Sequence, residues 1–129
     1  MSQLTFKYDE TYIPAFPVVA TEMDGYSSTH ERLTVTALVD SGADGTLIPL
    51  DLLQAVGASY EDTVQMTGIT GGTQIVDRYT VALHIGTHVV RAVHAVAVAP
   101  EGEAVIGRDV LNELILTLNG PAYMTEVTL

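Results

Sequence analysis

The sequence predicts an all-β fold with two short helices. Its apolar residues fall in strand-length runs, and Gly, Pro, Asn and Asp punctuate the gaps between those runs. Only two stretches place apolar residues at helical spacing instead. The first strand candidate, Leu4 to Tyr8, alternates so that Leu4, Phe6 and Tyr8 share a face. Val18 to Thr21 follows Pro14 and Pro17, and Asp24-Gly25 marks a turn toward Glu31 to Val39. That strand ends Ala37-Leu38-Val39 with no polar interruption, as a strand entering a core should.

Pro49 then opens a helix candidate over Leu50 to Val56, where Leu50, Leu53 and Val56 share a face and Gly57 supplies the stop. Thr63 to Met66 and Gln74 to Tyr79 flank a glycine-rich tip. Val81 to Ile85 and Val89 to Val98 flank a turn at Gly86-Thr87, which predicts a second hairpin. Arg108 to Leu114 is the second helix candidate. Ile115 to Leu118, the turn Asn119-Gly120-Pro121 and Tyr123 to Leu129 predict two terminal strands.

Composition narrows the function. A chain of 129 residues is expected to be one domain spanning 1–129. No apolar run approaches the ~20 residues of a membrane span. Met1 to Glu10 has no apolar run of signal-peptide type, so a cytoplasmic location is expected. The absence of cysteine excludes disulfides, thiolate catalysis and Cys-based zinc sites. A net charge of −11, with Lys7, Arg32, Arg78, Arg91 and Arg108 as the fixed cations, argues against nucleic acid or anionic lipid as partners. Glu61, Asp62, Glu101 and Glu103 read as loop charges that aid solubility. His84 and His88 bracket a Gly-Thr turn with no Glu between them and read as solvent-facing rather than as zinc ligands, so no metal or cofactor is expected.

The informative stretch is Ala37-Leu38-Val39-Asp40-Ser41-Gly42-Ala43-Asp44, an apolar strand running into an acidic residue at a tight turn. A buried carboxylate there is costly unless it is paired or working. Ala104-Val105-Ile106-Gly107-Arg108-Asp109-Val110-Leu111 repeats the plan of apolar residues, a turn glycine and a helical pattern. Between them lies Thr67-Gly68-Ile69-Thr70-Gly71-Gly72. Its glycines give backbone freedom, and no lysine or helix follows to make it a phosphate cradle.

These three landmarks resemble, in order and spacing, those of the retropepsin family of single-domain aspartic proteases, most strongly over residues 33–118. The resemblance implies a closed all-β barrel, with one short C-terminal helix and a second helix candidate after the catalytic loop, acting as a homodimer on a peptide or protein substrate. Asp40 would be the catalytic carboxylate, with Ser41, Gly42 and Ala43 as its supporting loop and Ile106 and Gly107 as the second turn. It implies an ion pair between Asp44 and Arg108, and a hinged flap at Thr67, Gly68, Ile69, Thr70, Gly71 and Gly72. An aspartic protease needs two carboxylates sharing one proton, and this chain holds one such triplet, so a second copy would supply the other. The alternative is a catalytically weak or inactive binding and dimerisation module on the same fold.

Overall fold

The structure is a computed structural model that describes residues 2–129. Its elements follow in the order β1 (Gln3–Lys7), β2 (Val18–Asp24), β3 (Leu33–Val39), β4 (Leu47–Pro49), α1 (Leu50–Ala55), β5 (Ser59–Thr67), β6 (Thr73–Ile85), β7 (His88–Val98), β8 (Val105–Ile106), α2 (Arg108–Leu111), β9 (Ile115–Asn119) and β10 (Met124–Thr128). Both helices are short, and no helix among the described residues is long and apolar enough to cross a membrane.

Six strands close into a barrel in the order β2-β3-β8-β4-β7-β6, and β6 returns to β2 through Glu22↔His84, Met23↔Leu83 and Asp24↔Ala82. Closure leaves this ring without an open edge. Val19, Met23, Val35, Ala37, Ile48, Val81, Leu83, Ile85, Ala95 and Ile106 fill its interior, each at most 3% exposed. Strand alternation puts Val19, Thr21 and Met23 inward and turns Glu22 out. Leu53 of α1 and the following Val56 are buried against one end, while Gly57 ends the helix at φ +66.

β6 is a single 13-residue strand where the sequence reading expected two. Its residues Thr73 to Thr80 pair with β5, and Arg78 to Ile85 pair with β7. At Ala82 to His84, β2 takes over from β5 on the same side. A strand that changes partners needs no turn at Thr80, and the β-branched Thr80-Val81 pair favours continuation. On the other side, β7 carries one extra residue opposite Ala82. Ala92 takes φ +53 at this bulge, and its amide donates to the Tyr26 hydroxyl at 3.0 Å.

The chain ends form a separate antiparallel sheet, β1-β10-β9, closed by stacking of Tyr8 on Tyr123 at 5.8 Å between ring centroids. Leu4, Phe6 and Leu116 pack from it onto the barrel core, where Val127 is fully buried.

Several charged groups assigned to solvent in the sequence reading have partners. Asp62 lies on β5 and accepts two hydrogen bonds from Arg78, Nε to Oδ1 at 2.7 Å and Nη2 to Oδ2 at 2.6 Å. Those bonds hold the Asp62 carboxyl below its ordinary range against some desolvation. Glu103 accepts from the Tyr12 hydroxyl and pushes that phenol up to about 12. The His84 side chain is 15% exposed, 3.8 Å from Asp24, and His88 Nε2 is buried without a partner among the described residues, so both histidines are partly buried where full solvent exposure was expected.

Two outcomes follow. Thr125 is fully buried and its hydroxyl has no partner among the described residues. Thr125→Val keeps the volume and removes the unsatisfied group, so the urea midpoint should rise by an amount equivalent to ~1 kcal/mol with an unchanged slope. The second concerns acid. Because the Asp62 value is depressed in the folded chain, its contribution is complete above the unfolded value of ~3.9 and is lost as pH falls through the lower folded value. Amide exchange in β5 should therefore be constant through neutral pH, after correction for intrinsic rates, and accelerate only in strong acid.

Candidate active site

β3 leaves the core at Val39, and its next residue, Asp40, emerges at the surface of the single chain, exposed rather than buried as the sequence suggested. The Asp40 amide donates to the Ile106 carbonyl at 3.0 Å, continuing the parallel pairing of Leu38 with Val105 and Val39 with Ile106. Asp40 Oδ1 accepts from the Gly42 amide at 2.9 Å, and the Ala43 amide donates to the Asp40 carbonyl at 3.2 Å. A Cβ at Gly42 would lie 3.1 Å from that carboxylate oxygen, so glycine leaves the acid accessible. Locally this is an Asx turn, a common surface motif. Its attachment to the second block is not common.

Four contacts bolt the Asp40 loop to the segment from Ile106 to Asp109. Besides the Asp40 bond, the Arg108 amide donates to the Ala43 carbonyl and Arg108 Nη1 to the Ser41 carbonyl, both at 2.8 Å. The fourth runs through Thr46, which is fully buried. Its hydroxyl donates to Asp109 Oδ1 at 2.8 Å and accepts from the Gly107 amide at 3.3 Å, while its own amide donates to Asp109 Oδ2 at 3.2 Å. Asp109 Oδ1 also accepts the Val110 amide at 3.0 Å, so one carboxylate satisfies donors of both the loop and the first turn of α2.

The expected pair between Asp44 and Arg108 does not form. Among the described residues the ion pairs within 4.0 Å are Lys7–Glu10, Arg32–Asp24, Arg78–Asp62 and His84–Asp24. Arg108 and Asp44 are both exposed, and the guanidinium spends its reach on a backbone carbonyl, an acceptor that costs less to desolvate than a carboxylate. The acid that organises this corner is Asp109, to which the sequence pattern by itself gives no role. The signal was present: an acid in the first turn after Gly107, with a threonine beyond the Asp40 loop to receive it.

Gly107 has no space for a side chain. A Cβ there would lie 2.4 Å from the Gly45 carbonyl oxygen and 2.9 Å from that of Ala43. Ile106 is fully buried beside it. The remaining candidates, Thr67 to Gly72, stand apart at the tip of the β5–β6 hairpin. There the Gly71 amide donates to the Gly68 carbonyl at 3.0 Å, Gly71 takes φ +85, and Ile69 is wholly exposed. No hydrogen bond joins this tip to the Asp40 loop among the described residues. Nor do those residues include a cluster of three His, Cys, Asp or Glu side chains able to hold a metal ion.

A model of the family described as gag-polyprotein putative aspartyl protease matches residues 28–113, the span from before β3 to the end of α2. The chain belongs to this family. Among solved structures, it is similar to a crystal structure of a retropepsin-like aspartic protease from Rickettsia conorii, with a TM-score of 0.68 and 11% identity, over 98% of this chain and 89% of that one. At that identity the likeness shows the fold: a retropepsin-like barrel. No curated protein matches the sequence.

The packing at Gly107 sets an order of stability effects. Gly107→Ala forces backbone apart and should destabilise by ~1–3 kcal/mol. Arg108→Ala removes one exposed hydrogen bond and should cost ~1 kcal/mol or less. Chemical denaturation of the two variants beside wild type checks the order.

Proposed function

We propose that the chain is an aspartic endopeptidase that works as a homodimer, with one Asp40 from each copy forming the catalytic pair. The observation that carries this reading is an accessible carboxylate at the mouth of a buried strand, on a loop fixed by backbone bonds to a second block of the same chain. Family membership supports it, and so does the presence of a single Asp-Ser-Gly triplet. A surface turn serving only to reverse the chain would not need the brace from buried Thr46 to Asp109 beneath it.

In this reading two Asp40 carboxylates share one proton, because like charges a few ångströms apart do not both ionise. The ionised member takes a proton from a water lying between them as that water attacks the scissile carbonyl carbon. The protonated member gives its proton to the carbonyl oxygen, producing a neutral tetrahedral diol. Collapse of the diol passes a proton to the amide nitrogen, breaks the C–N bond and regenerates the singly protonated pair. The Gly42 amide, already bonded to Oδ1, orients the carboxylate, and Ser41 and Ala43 shape the turn around it. The glycine-rich tip from Thr67 to Gly72 serves as a flap over the peptide, with Ile69 reaching substrate or the opposite flap. β9 offers the second copy an unpaired strand edge with Ile115 65% and Leu118 52% exposed.

Cleavage of a peptide library by wild type and Asp40→Asn tests the proposal. Asp40→Asn should abolish cleavage while leaving the fold intact, and wild-type specific activity should fall on dilution as dimer dissociates. Undiminished cleavage by the variant, or a rate independent of enzyme dilution down to the monomer, overturns it.

A further inference from the structure

The β5–β6 hairpin stops being part of the barrel at one residue pair. β6 keeps a β7 partner only as far as Arg78↔Val96, and Arg78 is also the partner of Asp62 on β5. Beyond it, the five pairs from Thr63↔Asp77 to Thr67↔Thr73 have no third strand, so a two-stranded ribbon ~17 Å long projects before the tip is reached. The ladder slips between Tyr60 and Asp62, placing a bulge at the same root. Two-stranded ribbons are marginal by themselves, so what happens at the root sets where the tip goes.

Side-chain bonding is concentrated at that root. The Asp62–Arg78 fork bridges the two strands on the face that also carries Val64, Met66 and the buried Val76. On the opposite face Thr63 donates to Asp77 at 2.7 Å and meets the Tyr60 hydroxyl at 2.5 Å. Thr80 donates to Glu61 at 2.9 Å, and the Tyr60 and Tyr79 rings pack edge to face. From Val64 to Val76, no side-chain hydrogen bond is made among the described residues. The root is braced by side-chain bonds, and the outer ribbon is held by its ladder and by apolar packing of Val76 alone.

We infer that Asp62 and Arg78 are a positioning pair for the peptidase reaction: their two-pronged bridge at the bulge sets the angle at which the ribbon carries Ile69 toward bound substrate. This rests on the proposed peptidase reading. Neither residue bonds Asp40 among the described residues, and the pair acts through the ribbon. A planar guanidinium on a carboxylate fixes both distance and orientation, whereas an ammonium would fix only distance. A bond of that kind at the one point where the ribbon meets the barrel restrains a bend, which the ladder itself does not at a bulge.

The test uses the full chain and two readouts. With active sites titrated by a transition-state mimic, Asp62→Asn and Arg78→Ala should raise KM for a cleaved peptide on the order of tenfold while kcat changes by about twofold or less. Arg78→Lys should recover part of the loss, and the exchanged double variant Asp62→Arg with Arg78→Asp more of it. A merely structural pair would lower the fraction of active sites and leave KM per site unchanged, and that result overturns the inference. The second readout does not need activity. The chain has no native cysteine, so Thr70→Cys takes a single nitroxide label, whose mobility should rise when Asp62→Asn is added. An unchanged spectrum overturns the inference. If wild type cleaves nothing, the peptidase reading falls, and the label alone decides whether the pair holds the ribbon.

Discussion

Gly107 stands where the Asp40 loop and the start of α2 press against each other, with carbonyl oxygens of Ala43 and Gly45 inside the volume that any side chain would take. Everything about the corner follows from that closeness. Two backbone segments this near must satisfy each other's polar groups, because no water fits between them. They do so directly, through the Asp40 amide to Ile106 and the Arg108 amide to Ala43, and through Thr46. The fully buried Thr46 hydroxyl is satisfied both as a donor and as an acceptor. Gly107 and Asp109 are the two partners. The corner therefore closes as a unit, and its rigidity is what a loop carrying a working carboxylate would need.

The barrel explains why this corner can exist at an end of the molecule without weakening it. β3 and β8 run parallel and deliver Asp40 and Gly107 to the same level, while β4 returns beside β8 and joins β7 in parallel. Closure through β2 and β6 removes the free edges that such short strands would otherwise present. Sharing β6 among β5, β7 and β2 has a price: the first part of the strand is left with β5 alone. The ribbon is thus a by-product of the way the barrel closes. Its projection beyond the barrel is built into the topology, and the Asp62–Arg78 fork stands at the boundary between the two regimes.

Much of this was legible in the sequence where a local rule coincided with the final environment. The run into Asp40, the Pro49–Gly57 bracket of α1, the Gly86-Thr87 turn and the glycine-rich tip are all local signals, and each element lies where they put it within a few residues. α2 is shorter than the Arg108 to Leu114 pattern suggested, ending at Leu111, because Leu114 leads into β9. β4 escaped notice: three residues ending in proline carry no periodicity, and the strand exists only because β7 and β8 are there to pair with it. The unity of β6 was hidden for the same reason. Side-chain partnerships were the least legible part. Asp62 looked like a loop charge because its partner lies 16 residues on, across a bulge. Arg108 and Asp44 share a corner without sharing a bond, since a nearer backbone acceptor outcompetes the acid.

The terminal sheet bears on how two copies would meet. β1 adds to β10, and β10 to β9, so the first and last strands are hydrogen-bonded within one copy. Where dimers are made by interleaving termini, separation leaves each end without partners, and folding and association become one event. Here the terminal strands are already paired, Val127 is buried by its own chain, and the Tyr8–Tyr123 stack holds the first strand to the last hairpin. A dimer formed on the free edge of β9 would add strand to strand without exchanging any. Under the proposed reading, association would then be separable from folding: a dissociated copy keeps its barrel, its Thr46–Asp109 brace and its Asp40 loop, and lacks only the second carboxylate. In that reading, control of activity by concentration would be the physical consequence of leaving the fold complete and the catalytic pair half made.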